Sequence, residues 1–310
     1  MTVLFSKYQL EKKNSLNSKD ASSFQSGALM KVIDEEQNWG VSDLSPWPNL
    51  GDSTLEEEIS FKGPLYQRSF ELANEDLKAR KNRRSLLADK FVENNWIITD
   101  FKNHNFENKI TGTVKVKGSN QLDDLHLFLE KLSRSGDVKI RLDFNSCLSN
   151  GEFNYFLNSL PDAVISKIEY IEDPTLWSYS NWKMWNQKVP LAIDFVGIDP
   201  FKFEDGWSVL IIKPTRQSTR NLISKCHQLK KKFTLTSAMD HPVGVAHGLR
   251  FAQNHAENIS GFLTMDLYEK NDFSRFFKVE DNKVGFSEFT LSDYGIGMTT
   301  TLNTLNWSQL

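Results

Sequence analysis

From about residue 96 onwards, short apolar runs alternate with amphipathic stretches, and this alternation limits the fold more than any other feature. The runs, in order, are WIITDF, GTVKVK, VKIRLDF, KIEYIED, PLAIDF, SVLIIKP, FTLTSA and ISGFLTMD. Between the second and third runs, Leu122, Leu125, Leu129 and Leu132 follow one another at three- or four-residue steps, which is typical of a helix packed on one face. Eight strands with helices between most of them predict repeated βαβ units and a parallel sheet.

A closed (β/α) barrel fits this count better than an open doubly wound sheet. No glycine-rich dinucleotide fingerprint follows any of the runs, which weakens the doubly wound alternative.

Before residue 95 the sequence pattern differs from that of the barrel. ALMKVIDE predicts a strand, WGVSDLSPWPNLGDS a turn-rich stretch, and DSTLEEEI a helix capped by Ser53 or Thr54. The segment 69–87 predicts a second helix, and the polar segment 11–27 a mobile loop.

Composition excludes several classes of partner. The net charge of −3 gives no basic field for a nucleic acid. No apolar run approaches the roughly 18 residues of a membrane span, and the N-terminus does not predict a secretory signal. The two cysteines, Cys147 and Cys226, and the six histidines lack metal-site spacing. These features predict a cytoplasmic protein with reduced thiols. The oligomeric state stays open and is compatible with a monomer.

Charged residues come at or near the ends of five successive runs, the second to the sixth. They are Lys115 and Lys117, Asp143, Glu172, Asp194 and Lys213. In a (β/α) barrel, function is located at the C-terminal ends of the strands. The intervals between these residues correspond to one strand plus one helix, so we expect the side chains to converge on one rim.

Each of these residues also has an ordinary structural interpretation. Lys115 and Lys117 share one strand face and suit a solvated edge strand, while Asp143 suits a helix N-cap. Glu172, Asp194 and Lys213 suit turns or surface. Convergence on five consecutive strands favours a site instead. Three carboxylates form a hard-oxygen site for Mg²⁺, which can stabilise an enediolate, and a lysine of lowered pKa can remove an α-proton.

Short motifs carry a resemblance to a known family. VKVK, LDFN, IEDP, AID and IIKP, in that order, resemble the muconate-lactonising-enzyme subgroup of the enolase superfamily, and within it the o-succinylbenzoate synthase family. WGVSDLSPWPNLGDSTLEEE is similar to the capping-domain stretch of that family, through Gly40, Ser45, Pro46 and Pro48. ELANEDLKAR and YGIGM are similar to two further family motifs.

The resemblance implies an α/β fold, a modified TIM barrel of (β/α)7β type with an α+β capping domain. Residues 1–95 would form the N-terminal part of the cap, 96–270 the barrel with the active site, and 271–310 a segment that returns to the cap. The implied activity is Mg²⁺-dependent syn-dehydration of 2-succinyl-6-hydroxy-2,4-cyclohexadiene-1-carboxylate to o-succinylbenzoate, a step of menaquinone biosynthesis. The partner would then be a small-molecule carboxylate.

The resemblance also implies roles for the three lysines. Lys117, the second lysine of the Lys-x-Lys motif, would remove the α-proton and return a proton to the departing hydroxyl. Lys213 would lie across the substrate and stabilise the enolate by charge and cation–π attraction. Lys115 would tune the electrostatics near the metal-bound carboxylate.

The remaining implied roles concern the metal and the substrate pocket. Asp143, Glu172 and Asp194 would bind Mg²⁺, for which Mn²⁺ could substitute, and Asn145 would orient ligands or waters. TSAMDHPVG occupies the place of the strand-seven motif, so that Ser237, Met239 and Asp240 would line the substrate pocket.

The sequence departs from the family pattern at three places. Phe195 follows the third ligand where an acid is usual, MDHPVG replaces the usual LESSLG, and Tyr294 stands where proline is common. These departures bear on substrate choice rather than on metal binding.

Two other interpretations remain. The first is a dipeptide epimerase or N-acylamino-acid racemase of the same subgroup, although Tyr268, two residues after Asp266, replaces the second aspartate that such epimerases carry. The second is a non-catalytic barrel whose lysines and carboxylates form structural ion pairs.

Overall fold

The structure, a computed structural model, describes residues 1–13, 22–104, 106, 110–194 and 199–310. Within these residues the strands are β1 (Thr2–Glu11), β2 (Phe24–Ile33), β3 (Trp39–Leu44), β4 (Val92–Glu93), β5 (Trp96–Ile98), β6 (Gly112–Lys117), β7 (Val138–Asp143), β8 (Ile168–Glu172), β9 (Leu191–Ile193), β10 (Val209–Ile212), β11 (Lys232–Leu235), β12 (Phe277–Glu280) and β13 (Lys283–Phe286). The helices are α1 (Leu55–Phe61), α2 (Pro64–Lys81), α3 (Leu122–Arg134), α4 (Asn150–Ser159), α5 (Asp162–Ile165), α6 (Tyr179–Asn186), α7 (Thr219–Gln228), α8 (Pro242–His255), α9 (Glu288–Leu291) and α10 (Thr299–Leu302). Among the described residues, none of the helices combines the length and hydrophobicity that crossing a membrane would require.

The largest sheet has seven strands in the order β5-β6-β7-β8-β9-β10-β11. Every neighbour in the sheet is also the next strand of the sheet along the chain, and β5 to β10 pair in parallel. This unreversed order is that of a (β/α) barrel, whereas a doubly wound sheet reverses its order at a switch point. Seven of the eight predicted strands are therefore confirmed.

The eighth predicted run, ISGFLTMD, is not a regular strand. Ser260 and Gly261 each form an isolated parallel bridge, to Asn94 and Thr236 respectively, and a 3-10 turn follows at Met265–Leu267. The next backbone N–H, that of Phe262, donates to the Asn94 side-chain oxygen at 2.6 Å instead of to a neighbouring strand. Because a side chain takes the place of a ladder partner, the extended pairing stops after two residues.

The chain divides into two compact units. The first comprises Met1–Asn94, Lys213–Thr219 and Leu235–Leu310, and the second comprises Asn95–Ile212 and Arg220–Thr234. The predicted domain boundaries at residues 95 and 270 stay a prediction.

The first unit contains an antiparallel sheet in the order β1-β2-β3. The predicted loop 11–27 is shorter than expected, because β1 continues to Glu11 and pairs there with Phe24 of β2; residues 14–21 of that prediction lie outside the described residues. The stretch predicted as turn-rich begins with β3. The sequence of β3 does not alternate between apolar and polar residues, because Ser42 and Asp43 are as buried as their apolar neighbours. The Ser42 hydroxyl is satisfied there because it donates to the Ser69 carbonyl at 2.7 Å.

Two helices of the first unit follow from local sequence signals. Thr54 caps α1 in a reciprocal capping box with Glu57, which confirms the predicted start. The predicted second helix is observed as α2, which begins at Pro64 and ends at Lys81. Its buried face includes Leu72, Ala73 and Leu77, the last two of which pack in one cluster with Val32 of β2.

The contact of β3 with α2 leaves no room for a side chain at Gly40. A Cβ atom there would lie 2.1 Å from the Leu77 backbone nitrogen and 2.2 Å from the Ala73 carbonyl oxygen. These are backbone atoms of a helix, which cannot move aside individually. The glycine of the family motif is therefore required by the close approach of two main chains.

We predict that Gly40→Ala destabilises the protein by about 1–3 kcal/mol, because the added methyl group overpacks the β3–α2 contact. Gly151→Ala is the matched control, since a Cβ atom there meets nothing within 4 Å and alanine favours the helical state. Thermal unfolding of both variants tests this. A Gly40→Ala melting temperature equal to that of Gly151→Ala would contradict the packing argument.

Candidate active site

The register of the large sheet aligns three of the predicted site residues. Lys117 ends β6, Asp143 ends β7 and Glu172 ends β8. Their Cα atoms are direct partners, Lys117 with Asp143 and Asp143 with Glu172. Because side chains alternate along each strand and partners in register project from the same face, these three form one row. Lys115, two residues before Lys117, shares that face.

Asp194 extends the row along the next strand. It directly follows β9, in which Ala192 is the Cα partner of Glu172. Being two residues beyond Ala192, Asp194 faces the same way, one step further along the strand direction. It is close enough to Glu172 to raise the pKa of that carboxyl group by charge repulsion. Phe195, the first departure from the family pattern, lies outside the described residues.

The position of Glu172 in the row depends on a β-bulge in β8. Ile168 pairs with Ile140, but the next pair joins Tyr170 to Arg141, so that Glu169 has no Cα partner across this ladder. The extra residue is accommodated because the Glu169 carboxylate accepts a hydrogen bond from Arg141 Nε at 2.8 Å. Bulges of this kind often lie next to functional sites, where they redirect side chains.

The two lysines and two of the carboxylates form one ion-pair network. Lys115 Nζ lies 2.8 Å from Asp143 Oδ2 and 2.8 Å from Glu172 Oε2, and Lys117 Nζ lies 2.7 Å from Asp143 Oδ2. Both carboxylates are buried, whereas the lysine side chains retain 16% and 21% of their exposure. The two lysines can therefore lie close together, because the carboxylates that both of them contact offset their mutual repulsion.

The alternative interpretation of GTVKVKG as a solvated edge strand is wrong. β6 lies between β5 and β7, and both of its edges are paired in parallel. Lys115 and Lys117 therefore do not protect an exposed edge, and they face buried carboxylates instead of open solvent.

Burial and charge together set the protonation of the network. Burial raises the pKa of Asp143, but attraction to Lys115 and Lys117 outweighs burial and lowers that pKa below its usual range. Burial, and next repulsion by Asp143, raises the pKa of Glu172 to about 7. Burial lowers the pKa of Lys115, but Asp143 and Glu172 outweigh it and hold the pKa well above its usual value. Of the two carboxyl groups of the network, Glu172 is therefore the one whose pKa lies near neutral pH.

The donor chemistry of this row fits a hard divalent cation. Asp143, Glu172 and Asp194 supply carboxylate oxygens, the ligands that Mg²⁺ prefers, and the repulsion that raises the Glu172 pKa is the kind that a bound cation relieves. In the described part of the chain, no three His, Cys, Asp or Glu side chains form a ready-made metal-binding group. Lys115 and Lys117 contact oxygen atoms of Asp143 and Glu172. A divalent cation held there would compete with both lysines.

Asn145 begins the turn that follows β7. Its backbone N–H donates to Asp143 Oδ1 at 3.2 Å, and its φ of 47° places it in the left-handed region that asparagine tolerates. The main chain of Asn145 therefore orients Asp143. The predicted role of its side chain stays a prediction.

Lys213 directly follows β10 and begins a loop that belongs to the first compact unit. Its backbone N–H donates to Gln217 Oε1 at 2.9 Å, and its carbonyl accepts from the backbone N–H groups of Arg216 and Gln217. The catalytic role of Lys213 stays a prediction.

The three predicted pocket residues lie in the loop that follows β11, also in the first unit. Asp240 Oδ2 accepts from Ser237 Oγ at 3.1 Å and from the Ala238 backbone N–H at 2.9 Å. Met239 packs in an apolar cluster with Leu10, Trp47 and Tyr268. Ser237 and Asp240 thus organise the loop, and their contact with substrate stays a prediction.

Sequence reasoning missed one buried charged residue of the second unit. Arg141 lies two residues before Asp143 on the same strand face, and its side chain is fully buried. Its Nη1 donates to Asn95 Oδ1 at 3.0 Å and its guanidinium lies over the Tyr170 ring, 4.9 Å from the centroid. The two-residue spacing from Asp143 was the available signal, because it places both side chains on one face.

The comparisons with known proteins agree with this fold. An N-succinyl Arg/Lys racemase from Bacillus cereus superposes with a TM-score of 0.80 at 14% identity, covering 99% of both chains. A dipeptide epimerase from Enterococcus faecalis, complexed with Mg and the dipeptide L-Leu-L-Tyr, superposes with a TM-score of 0.76 at 14% identity, covering 95% of this chain and 98% of that one. The fold is therefore the one that these racemases and epimerases share.

Sequence similarity is more specific. Residues 3–79 match the family described as O-succinylbenzoate synthase, N-terminal domain. The whole chain is 30% identical to an o-succinylbenzoate synthase of Bdellovibrio bacteriovorus, over 99% of this chain and 98% of the relative. The chain belongs to the o-succinylbenzoate synthase family. It is accordingly a lyase, a dehydratase of the enolase superfamily, and the non-catalytic alternative is wrong even though the ion pairs it proposed are present.

We predict that Lys115→Met lowers the free energy of unfolding by about 3 kcal/mol at pH 8 without divalent metal, because it leaves two buried carboxylates with too little positive charge. Lys115 lowers the pKa of Glu172, so that pKa rises further in the variant. A carboxyl group whose pKa is higher in the folded state stabilises at low pH and loses that contribution as pH rises through the folded value. The deficit should therefore be smaller at pH 5.

Urea unfolding at pH 5 and pH 8 measures this deficit. Lys139→Met is the control, since Lys139 is an exposed residue of the neighbouring strand β7. A deficit that is the same at both pH values would show that Lys115 contributes through packing rather than through charge.

Proposed function

We propose that this protein catalyses the Mg²⁺-dependent syn-dehydration of 2-succinyl-6-hydroxy-2,4-cyclohexadiene-1-carboxylate to o-succinylbenzoate, in menaquinone biosynthesis. The observation that carries the proposal is the row of Lys117, Asp143 and Glu172, in a chain of the o-succinylbenzoate synthase family. A base next to carboxylates that can hold a cation is what α-proton removal from a carboxylate requires.

Lys117 performs both proton transfers in this proposal. In its uncharged form Nζ takes the proton from the carbon that bears the ring carboxylate, and the C–H electrons become those of the enediolate. The enediolate electrons then form the ring double bond as the C–OH bond breaks on the same face, and Lys117 returns its proton to the departing oxygen. Water leaves, the ring becomes aromatic, and neither oxidant nor reductant is needed.

Asp143, Glu172 and Asp194 are the residues that would hold the metal ion. When bound, Mg²⁺ would supply positive charge that stabilises the charge developing on the substrate carboxylate. Asp143 has a second function in this scheme, because its Oδ2 is the atom that Lys117 Nζ contacts at 2.7 Å. Asp143 therefore also restrains the position of the base.

The other two lysines contribute charge. Lys115 bridges Asp143 and Glu172, so it holds the two carboxylates at a fixed separation and limits their repulsion. Lys213 is proposed to stabilise the enolate as a second cation. These roles are those that the family resemblance implies.

A dipeptide epimerase or N-acylamino-acid racemase is the second candidate, since solved racemases and epimerases share the fold. Their identity to this chain is too low to indicate more than the fold. Tyr268, which stands in place of an epimerase aspartate, is buried and donates its hydroxyl to the Met239 carbonyl at 2.8 Å. A buried tyrosine with this bond does not supply the carboxylate that would bind a peptide amine, which supports the dehydratase.

Lys117→Ala should reduce kcat by at least about 100-fold, because general acid and base catalysis by one group contributes roughly 10²–10⁴-fold. Product formation can be followed by the absorbance change as the ring becomes aromatic. Lys139→Ala should leave kcat unchanged. Near-wild-type turnover by Lys117→Ala would contradict the assignment of the base.

Mg²⁺ should raise the melting temperature of the wild-type protein, because a ligand that binds only the folded state stabilises it. Asp194→Asn should greatly reduce this shift, whereas Asp137→Asn, at an exposed position before β7, should keep it. A full shift in Asp194→Asn would exclude that residue from the metal site.

The substrate itself is tested with the wild-type enzyme. Conversion of the cyclohexadiene substrate in the presence of Mg²⁺, stopped by a chelator, is the expected result. Absence of conversion, together with epimerisation of an Ala-Glu dipeptide, would replace the dehydratase by the epimerase.

A further inference from the structure

The loop that carries Lys213 is attached to other parts of the first compact unit by side-chain hydrogen bonds. Arg68 of α2 donates from Nε to the Pro214 carbonyl at 2.9 Å, and Arg216 forms an ion pair with Asp52. Between these two contacts, the Thr215 hydroxyl donates to Asp240 Oδ1 at 2.9 Å. The third bond differs from the others because it joins the loop after β10 to the loop after β11.

Asp240 is well placed to act as a fixed point. Its Oδ1 accepts the Thr215 bond, while Oδ2 accepts from Ser237 Oγ and from the Ala238 backbone N–H. The carboxylate is 4% exposed, so water does not compete for these oxygens. Both oxygens are thus committed to hydrogen bonds within the protein.

The loop around Asp240 is itself fixed by bonds that do not involve Thr215. The His241 backbone N–H donates to Asp43 Oδ2 at 2.9 Å, and Trp47 Nε1 donates to the Ala238 carbonyl at 3.1 Å. The hydroxyl of Tyr268 donates to the Met239 carbonyl at 2.8 Å. Three separate elements therefore hold this loop, and the Thr215–Asp240 bond transmits its position to the Lys213 loop.

The backbone of Lys213 is close to this bond. Only Pro214 separates Lys213 from Thr215, and the Lys213 backbone N–H and carbonyl are both bonded within the same turn. A long ammonium side chain directs its charge only as accurately as its main chain is placed, and a displacement of about 1 Å at a catalytic group can cost up to about 100-fold in rate.

We propose that Asp240 is a positioning residue, which acts through Thr215 to fix the position of the Lys213 loop relative to the loop after β11. The proposal rests on the proposed function, in that Lys213 acts on the reacting substrate. It reassigns Asp240, because a carboxylate whose two oxygens are both bonded within the protein orders loops instead of contacting substrate.

Thr215→Val tests the proposal, because valine keeps the shape of threonine and removes the hydroxyl donor. The Arg68 and Arg216 contacts remain in the variant, so we expect the protein to fold, with a melting temperature lowered by a few degrees because Asp240 Oδ1 loses a donor. The expected result is a fall in kcat of about tenfold with KM changed less than twofold, since the bond positions a group that acts in the transition state. Thr215→Ser, which restores the donor, should recover most of the wild-type kcat.

Thr219→Val is the matched control, at the first residue of the helix α7 that follows the loop. Thr219 is 1% exposed, and its hydroxyl donates to the Gln217 carbonyl within its own segment, at 3.3 Å. This variant should keep the wild-type kcat. An equal loss in Thr219→Val and Thr215→Val, or a loss in Thr215→Val that is not recovered by serine, would overturn the proposal.

A second set of measurements separates positioning from general stability. The Mg²⁺-induced rise in melting temperature should be the same in Thr215→Val and wild type, because the carboxylates of β7, β8 and β9 are untouched. Asp240→Ala combined with Thr215→Val should be no slower than Asp240→Ala alone, since each change by itself removes the Thr215–Asp240 hydrogen bond. Additive losses would show that Asp240 and Thr215 act separately.

Amide hydrogen exchange tests the positioning without any substrate. Exchange of the Lys213 amide should be faster in Thr215→Val and unchanged in Thr219→Val. If the wild-type protein epimerised dipeptides instead, the proposed dehydratase function would be wrong. The exchange rate of the Lys213 amide would still show whether Thr215 positions the Lys213 loop. Unchanged exchange in Thr215→Val would overturn it whatever the substrate.

Discussion

Two buried carboxylates and two partly buried lysines lie together at the ends of three neighbouring strands because they neutralise one another. Moving a single carboxylate or ammonium group out of water costs several kcal/mol even after relaxation. Asp143 is placed between Lys115 and Lys117, and Lys115 between Asp143 and Glu172. The parallel register of β6, β7 and β8 fixes this alternation of charge, since each strand contributes its last residue to the same row. The proposed chemistry depends on this arrangement, because a base and its neighbouring carboxylates are then held together before substrate binds.

In the first compact unit, hydrogen bonds to buried side chains fix the positions of the loops. Several of its buried carboxylates accept hydrogen bonds from loop backbones, as Asp43 does from His241 and Asp240 does from Ala238. Burial raises the pKa of Asp43, and repulsion by Asp240 adds to it, so the two acids are close enough to affect each other. Loops fixed in this way lose little conformational entropy when a ligand binds.

Much of the fold could be predicted from the sequence, because the signals were local and periodic. The strands β5 to β11 coincide with apolar runs, and the site lysines and carboxylates stand at the ends of those runs. The eighth strand was overestimated because the Asn94 side chain replaces a ladder partner. β3 was missed because Ser42 and Asp43 are buried by hydrogen bonding, which no hydrophobic pattern records. The organising role of Asp240 required knowledge of both of its oxygen atoms, and these bonds join residues that are distant in sequence.

The bulge at Glu169 determines from which face of the sheet the side chain at the end of β8 projects. If Glu169 paired with Arg141 in a regular ladder, Ile171 would become the partner of Asp143, and Glu172 would turn to the opposite face of the sheet. A carboxylate that we propose as a metal ligand is thus kept in the row by an irregularity three residues away. Any change that closed the bulge would therefore remove Glu172 from the row, although every residue of the motif would still be present.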